Sequence, residues 1–286
     1  MENRVVKRVL VIANVKKTAA LPLVGTMQEY FSSKAIPCDV CHTEGDDSSI
    51  DIHQDTDLVI TLGGDGTVLY CARYIQDLGI PILAVNLGTF GYITEVSVDE
   101  WREAFEQYAS GRIRISRRLM IRVSVYRDGK KLWQAHGLNE MVVTSSGMSK
   151  VINLDLTINQ THAGFFRADG MIIATPTGST GYSLAAGGPI LDADLSALIV
   201  TPVCPFTLSN RPLVVNGESQ LTLDIPSGQR TELVLTVDGQ QLCPLEEGDK
   251  VVVEKSRSRA LLITSGRRNY IDVIREKLNW SGGMHA

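Results

Sequence analysis

The stretch Asp57-Leu58-Val59-Ile60-Thr61-Leu62-Gly63-Gly64-Asp65-Gly66-Thr67 decides the fold. Its first part is apolar and does not alternate with polar residues, which predicts a strand buried on both faces. The glycine run that ends it leads into a helical pattern from Val68 to Leu78. Working outward, Val5 to Asn14 reads as a continuous apolar first strand, Leu21 to Ser33 has helical spacing, and Ile80 to Asn86 is a further strand. Strands alternating with helices predict a parallel sheet with crossover helices. The Gly63–Thr67 run and Asn86-Leu87-Gly88-Thr89-Phe90-Gly91 both follow strand C-termini, the edge where open α/β sheets hold their ligands.

After an amphipathic segment from Trp101 to Ser110 the texture changes. Arg118 to Tyr126, Val151 to Ile158, Gln220 to Ile225 and Leu233 to Val237 alternate every second residue, with turn signals at Asp128-Gly129, Asn216-Gly217 and Asp238-Gly239. The expected fold is therefore an α/β N-terminal domain with a parallel sheet over residues 1–97, followed by an all-β-rich, sandwich-like C-terminal domain over residues 98–268. Tyr270 to Leu278 reads as a last helix.

Composition excludes several functions. With 28 Lys and Arg against 32 Asp and Glu, the net charge is −4 and no basic stripe exists, so nucleic acid is not an expected partner. The apolar start at Val9 to Ala13 is cut short by Asn14 and Lys16-Lys17 with no cleavage site, and Pro202 and Pro205 break the apolar stretch from Leu195 to Leu208. No membrane association is expected, and the expected location is cytoplasmic. Cys38-Asp39-Val40-Cys41-His42 matches a haem-attachment pattern and half of a zinc site. With no export signal and no second ligand pair near Cys71, Cys204 or Cys243, it reads instead as a short, half-buried strand. No metal site of the protein's own is expected, and neither HExxH nor GxSxG occurs.

Two segments carry chemistry. In the first, Gly63, Gly64 and Gly66 have no Cβ to keep a phosphate from the backbone, and Thr67 can offer its N–H and hydroxyl where the helix begins. Asp65 is suited to orient an attacking hydroxyl and accept its proton. The run lacks the Lys of a P-loop and the third Gly of a dinucleotide fingerprint. A Gly-Asp-Gly run is also a common tight turn, and its place after a buried strand favours the ligand loop. The second segment runs from Arg167-Ala168-Asp169-Gly170 through Thr175-Pro176-Thr177-Gly178-Ser179-Thr180-Gly181-Tyr182-Ser183. Thr177, Ser179 and Thr180 are short hydroxyls on a turn suited to ribose and phosphate oxygens, whereas a helix cap would need only one of them. Tyr182 and Ala185 can wall an adenine ring, and Arg167 and Lys150 are candidate partners for pyrophosphate or ribose oxygens.

The two segments together resemble the NAD kinase family, whose members carry a GGDG loop and an ADG…TPTGSTAYS…GGP segment. Leu138-Asn139-Glu140 fits the family's NE motif, and Leu184 to Pro189, Ser209 to Pro212 and Val237-Asp238-Gly239-Gln240 match further positions. The resemblance implies transfer of a phosphoryl group from ATP, or polyphosphate, to the 2′-hydroxyl of the adenosine ribose of NAD, with a divalent cation, usually Mg²⁺. It implies that Asp65 is catalytic and that Gly63, Gly64, Gly66 and Thr67 meet phosphates. For NAD it implies a site of Asp65, Gly66, Asn139, Glu140, Lys150, Arg167, Asp169, Thr177, Ser179, Thr180, Gly181, Tyr182, Ser183, Leu184, Ala185 and Gln240. It also implies a C-terminal segment, residues 269–286, packed back on the first domain, and a homo-oligomer, dimer or tetramer. One departure is Gly181, where the family usually has Ala; the missing methyl is expected near the adenine. GGDGT is shared with lipid kinases acting on diacylglycerol or sphingoid bases, and a noncatalytic NAD-binding sensor is a further reading. Asp65 argues against the sensor, because a loop that only binds phosphate gains nothing from an added anion.

Overall fold

The structure is a computed structural model that describes residues 6–44, 50–88, 91–147, 151–207, 209–268 and 270–278. Val5, Thr89, Phe90, Lys150 and residues 279–286 lie outside the described residues. The chain forms two compact units, residues 1–117 with 260–286, and residues 118–259.

The first unit begins β1 (Val9–Asn14), α1 (Ala20–Ser33), β2 (Cys38–Thr43), β3 (Leu58–Gly63), α2 (Asp65–Ile75), β4 (Pro81–Asn86), β5 (Val96–Ser97) and α3 (Trp101–Ala109). The strands pair in parallel in the order β2, β1, β3, β4, with β5 beside β4. Leu261 and Leu262, from the far end of the chain, add a parallel neighbour to β4 at Pro81 and Ile82. All six residues of β3 are buried, as its uninterrupted apolar reading requires. Leu23, Met27 and Phe31 of α1 and Trp101, Phe105 and Tyr108 of α3 pack with Val9, Val11, Ile60 and Val85 in one cluster. There the Phe31 and Phe105 rings meet edge to face at 5.0 Å, a favoured aromatic geometry. The Cys38–Thr43 segment is the half-buried strand β2, and all five cysteines are free.

α2 starts three residues earlier than its apolar period predicts. Gly64 serves as its N-cap in extended backbone, so Asp65 becomes the first helical residue. A carboxylate there meets the positive end of the helix dipole, which favours starting at Asp65 over starting at Val68.

The second unit contains β6 (Ile115–Arg127), β7 (Lys130–Gly137), β8 (Glu140–Ser145), β9 (Ile152–Ile158), β10 (Thr161–Ala168), β11 (Gly170–Ala174), a 3₁₀ turn (Thr177–Thr180), α4 (Tyr182–Ala185), β12 (Ala197–Val203), β13 (Leu213–Asn216), β14 (Leu221–Asp224), β15 (Leu233–Val237), β16 (Gln241–Leu245) and β17 (Lys250–Ile263). Its strands pair antiparallel. β13, β12, β11, β8, β15 and β16 form one sheet, while β10, β9, β14 and β17 are consecutive neighbours in another. Inward residues of both, among them Met141, Val143, Met171 and Ile173 against Leu154, Leu156, Leu221 and Val251, share one core. This is the sandwich predicted from period-2 alternation. The chain ends, among the described residues, in α5 (Tyr270–Leu278), which belongs to the first unit. No helix among the described residues is long and apolar enough to cross a membrane.

Candidate functional site

In the first unit the site is built around the Asp65 carboxylate. The loop after β4 returns three successive N–H groups to it, Tyr92 to Oδ2 at 2.8 Å and Ile93 and Thr94 to Oδ1 at 3.2 and 3.0 Å. The Thr94 hydroxyl donates to Oδ1 at 2.9 Å and accepts from Asn86 Nδ2 at 2.9 Å and from the Gly91 N–H at 3.1 Å. That hydroxyl is fully used, so its orientation is fixed. Oδ1 takes three bonds and Oδ2 one, which leaves Oδ2 a lone pair for a further donor such as a substrate hydroxyl. A Cβ on Gly91 would overlap Oδ1 and stand 2.5 Å from Thr94 Oγ1, so the tight closure of the loop requires glycine. Burial first, and then the Asp65 charge, raises the Tyr92 phenol above its ordinary pKa.

The glycines before and after Asp65 divide their work. A Cβ on Gly63 would overlap the buried Thr67 side chain, so Gly63 makes room for a helix residue. The Thr67 N–H donates to Gly64 O at 3.0 Å and is spent within the turn. Gly64 and Gly66 face open space, with nothing within 4 Å of a Cβ placed there, at the positive end of α2. These two are the positions where a phosphate can approach the backbone.

In the second unit Asn139 and Glu140 sit where β7 hands over to β8, and every backbone polar group of residues 138–140 is paired. The N–H groups of Leu138, Asn139 and Glu140 donate to the Asp238 carboxylate at 2.7, 2.8 and 3.1 Å. The Thr175 hydroxyl donates to Leu138 O at 2.6 Å, the Thr175 N–H to Asn139 O at 2.8 Å, and the Asp238 N–H to Glu140 O at 2.9 Å. The turn is thereby held without help from its own side chains. Asn139 Oδ1, Glu140 Oε2 and Thr177 Oγ1 are buried with no hydrogen-bond partner. Buried polar atoms are rarely left unpaired, because each costs about 1–3 kcal/mol. Three such atoms in one corner make it a candidate ligand site.

The remaining candidate residues fall into four groups. Ser179 Oγ donates to Pro176 O at 2.6 Å and accepts from the Leu191 N–H, and Ser183 Oγ meets Thr201 Oγ1 at 2.9 Å; both serines are fully buried. Their hydroxyls serve the fold, and Thr180 Oγ1 turns back on Thr177 O. Tyr182 and Ala185 are exposed on the short helix α4, with Leu184 half-buried, so an aromatic face and a methyl remain presented to solvent. Gln240 closes the β15–β16 hairpin, in which Asp238 and Gly239 both have positive φ. Asp169 and Arg167 are placed elsewhere. Glu140 is opposite Ala174 and Thr144 opposite Gly170, so Asp169 lies at the other end of β11. At 3.3 Å per residue that is about 15 Å from the Asn139–Glu140 turn. Arg167 is exposed there, with its guanidinium 5.1 Å from the Phe206 ring.

Gly181 lies beside the Asn139–Glu140 turn. A Cβ there would lie 3.0 Å from Glu140 Oε2 and 3.7 Å from Asn139 Nδ2, so the missing methyl faces the Asn139–Glu140 pair. Residues that carry the site but were not singled out from the sequence are Thr175, Asp238 and Gly178. A Cβ on Gly178 would overlap the Asn139 carbonyl and come within 2.8 Å of its Cα. The TPTGST and VDG matches are the sequence signals for them.

Burial first, then the charge of Asp238, raises the Glu140 carboxyl to about 8, and a hydrogen bond from the Tyr182 backbone only partly offsets this. The folded chain thus holds a proton there that the unfolded chain releases above the ordinary value of 4.5. The stability from that protonated form is complete below about pH 4.5 and is lost as pH rises toward about 8. Glu140→Gln removes the titration. Urea denaturation at pH 5 and pH 8 should show wild type losing a few kcal/mol relative to the variant, at about 1.4 kcal/mol per pKa unit. Parallel pH dependences would contradict it.

An α/β unit with a carboxylate and open glycines at its strand ends, joined in one chain to a β unit with an unfilled polar corner, defines a nucleotide-handling protein. Comparison with known proteins narrows the class. Residues 9–113 match the ATP-NAD kinase N-terminal domain and residues 138–265 the ATP-NAD kinase C-terminal domain. The NAD kinase of Treponema denticola is 38% identical over 276 residues, covering 96% of this chain and 97% of that one. Yeast NADH kinase, in a crystal structure with NADH, superposes with a TM-score of 0.78 at 25% identity over 97% of this chain and 89% of the other. An NAD kinase from Archaeoglobus fulgidus, crystallised with ATP, shares the fold with a TM-score of 0.74 at 24% identity, covering 90% of this chain and 94% of that one. The chain belongs to the NAD kinase family.

Proposed function

We propose that this chain transfers the γ-phosphoryl of ATP to the 2′-hydroxyl of the adenosine ribose of NAD, producing NADP. Family membership supplies the reaction, and the observation that carries it to residues is the pair of prepared acceptor sites. Asp65 Oδ2 keeps a lone pair in a carboxylate that is otherwise tied down, and Asn139 Oδ1, Glu140 Oε2 and Thr177 Oγ1 have none of their bonds made. In this reading Asp65 orients the 2′-hydroxyl and takes its proton. The positive end of α2 faces phosphate oxygens, and Gly64 and Gly66 leave room for their approach. The Asn139–Glu140 turn and Thr177 bind hydroxyl and amine groups of NAD, with Tyr182 and Ala185 against its adenine.

Among the described residues no group of three or more His, Cys, Asp or Glu is placed to hold a metal ion. In the proposed reaction a divalent cation, Mg²⁺, is carried on the ATP phosphates and neutralises charge during transfer. A homo-oligomer in the cytoplasm completes the proposal, with Arg167, Asp169 and Lys150 as further NAD contacts.

The purified chain with NAD, ATP and Mg²⁺, read through an NADP-specific dehydrogenase, should accumulate NADP. Parallel reactions with NADH and with polyphosphate define acceptor and donor. ATP consumption without NADP or NADPH would reject the proposal.

A further inference from the structure

Asp65 is only as well placed as the three residues that hold it, and residues 92–94 are a loop with no strand or helix of their own. On one side Thr94 is tied to Asn86. On the other side the next residue, Glu95, is gripped by the far end of the chain. Arg268 Nη1 donates to Glu95 O at 3.0 Å, and the Ser265 N–H donates to Glu95 Oε2 at 3.3 Å. The same guanidinium bonds both Glu100 oxygens, Nη1 to Oε2 at 3.1 Å and Nη2 to Oε1 at 3.3 Å. Glu100 in turn accepts the Ser97 N–H at 3.0 Å. Arg267 pairs with Glu100 and Glu103, and the Ser265 hydroxyl accepts the N–H groups of Arg267 and Arg268, which fixes the bend at Gly266. Further on, the Lys277 ammonium lies 5.9 Å from the ring centroid of Tyr92, whose N–H is one of the three on Asp65.

We infer that Arg268 is a positioning residue for phosphoryl transfer: by bridging Glu95 O and Glu100 it clamps the 92–94 loop, and through that loop it fixes the Asp65 carboxylate. The planar fork of arginine suits this task, since one group must donate to a carbonyl and both oxygens of a carboxylate together. Lysine keeps the charge but not the fork. The inference rests on the reading of Asp65 as the catalytic carboxylate.

A double-mutant cycle on the full chain tests it, with Arg268→Met and Arg268→Lys each made in wild-type and Asp65→Asn backgrounds. A carboxylate misplaced by a fraction of an ångström should lower kcat about 10- to 100-fold. The expected result is that loss in Arg268→Met with KM for NAD and ATP little changed, poor rescue by Arg268→Lys, and no further loss when Asp65 is already Asn. If Arg268→Met does not fold, Arg268→Lys is read in the same cycle. A kcat near wild type, or the same fold-loss in both backgrounds, overturns the role of Arg268 while leaving Asp65 catalytic. If Asp65→Asn alone retains wild-type kcat, the reading of Asp65 is what fails.

Discussion

Asp65→Asn should lower kcat by about 10² to 10⁴, the range typical of losing a general base, with KM for NAD and ATP altered much less. The structure makes the substitution demanding. The amide can keep its oxygen in the place of Oδ1, under the N–H groups of Ile93 and Thr94 and the Thr94 hydroxyl. Its NH₂ then faces the Tyr92 N–H, donor against donor. That conflict costs about 1–3 kcal/mol of stability, so melting temperature and steady-state kinetics are measured together. In a loose transition state the proton leaves late, and the carboxylate then acts mainly by orienting the hydroxyl. Both roles require the charge and the lone pair on Oδ2. A variant retaining more than about half of wild-type kcat, where base removal costs at least about a hundredfold, would reduce Asp65 to a turn residue.

Gly178→Ala should be nearly as damaging, and to binding more than to chemistry. The three atoms nearest the added methyl are all backbone atoms of Asn139, so no side-chain tip can relieve the overlap by swinging aside. Either the 3₁₀ turn or residues 138–140 must move, and both carry unpaired acceptors of the site. Displacing such groups by about an ångström is expected to cost about a hundredfold in kcat/KM for NAD. The accompanying overpacking costs about 1–3 kcal/mol of stability. Calorimetric titration with NAD is the direct check. Affinity within threefold of wild type would show that the corner formed by Asn139, Glu140 and Thr177 does not hold the dinucleotide.

What could be read from the chain follows the range of the forces involved. Strand β3 and the hairpins at Asp128-Gly129 and Asp238-Gly239 depend on neighbours in sequence, and their apolar period and turn residues announce them. The apolar period of α2 begins at Val68, whereas the helix begins at Asp65, where its carboxylate meets the positive helix end. Roles set by distant partners left no local trace. Asp238 reads as a turn residue, yet its carboxylate binds N–H groups 98 to 100 positions away. Ser179 and Ser183 look like ligand hydroxyls until Leu191 and Thr201 fold onto them. The clamp from Arg268 to Glu95 spans 173 positions, beyond any window over which periodicity carries information.

The sheet of the first unit takes its last neighbour from Leu261 and Leu262, after the whole of residues 118–259 has intervened. During synthesis, which proceeds from the N-terminus, β4 emerges early and must wait for that neighbour, while the second unit is continuous and can condense as soon as it is made. Bringing the ends of so long an insert together as an open chain carries a loop-closure cost that an already compact insert largely removes. The order of assembly is thereby written into the topology. The unit bearing Asp65 is finished last, so a nascent chain stalled before residue 260 has a complete β sandwich but an unfinished first unit.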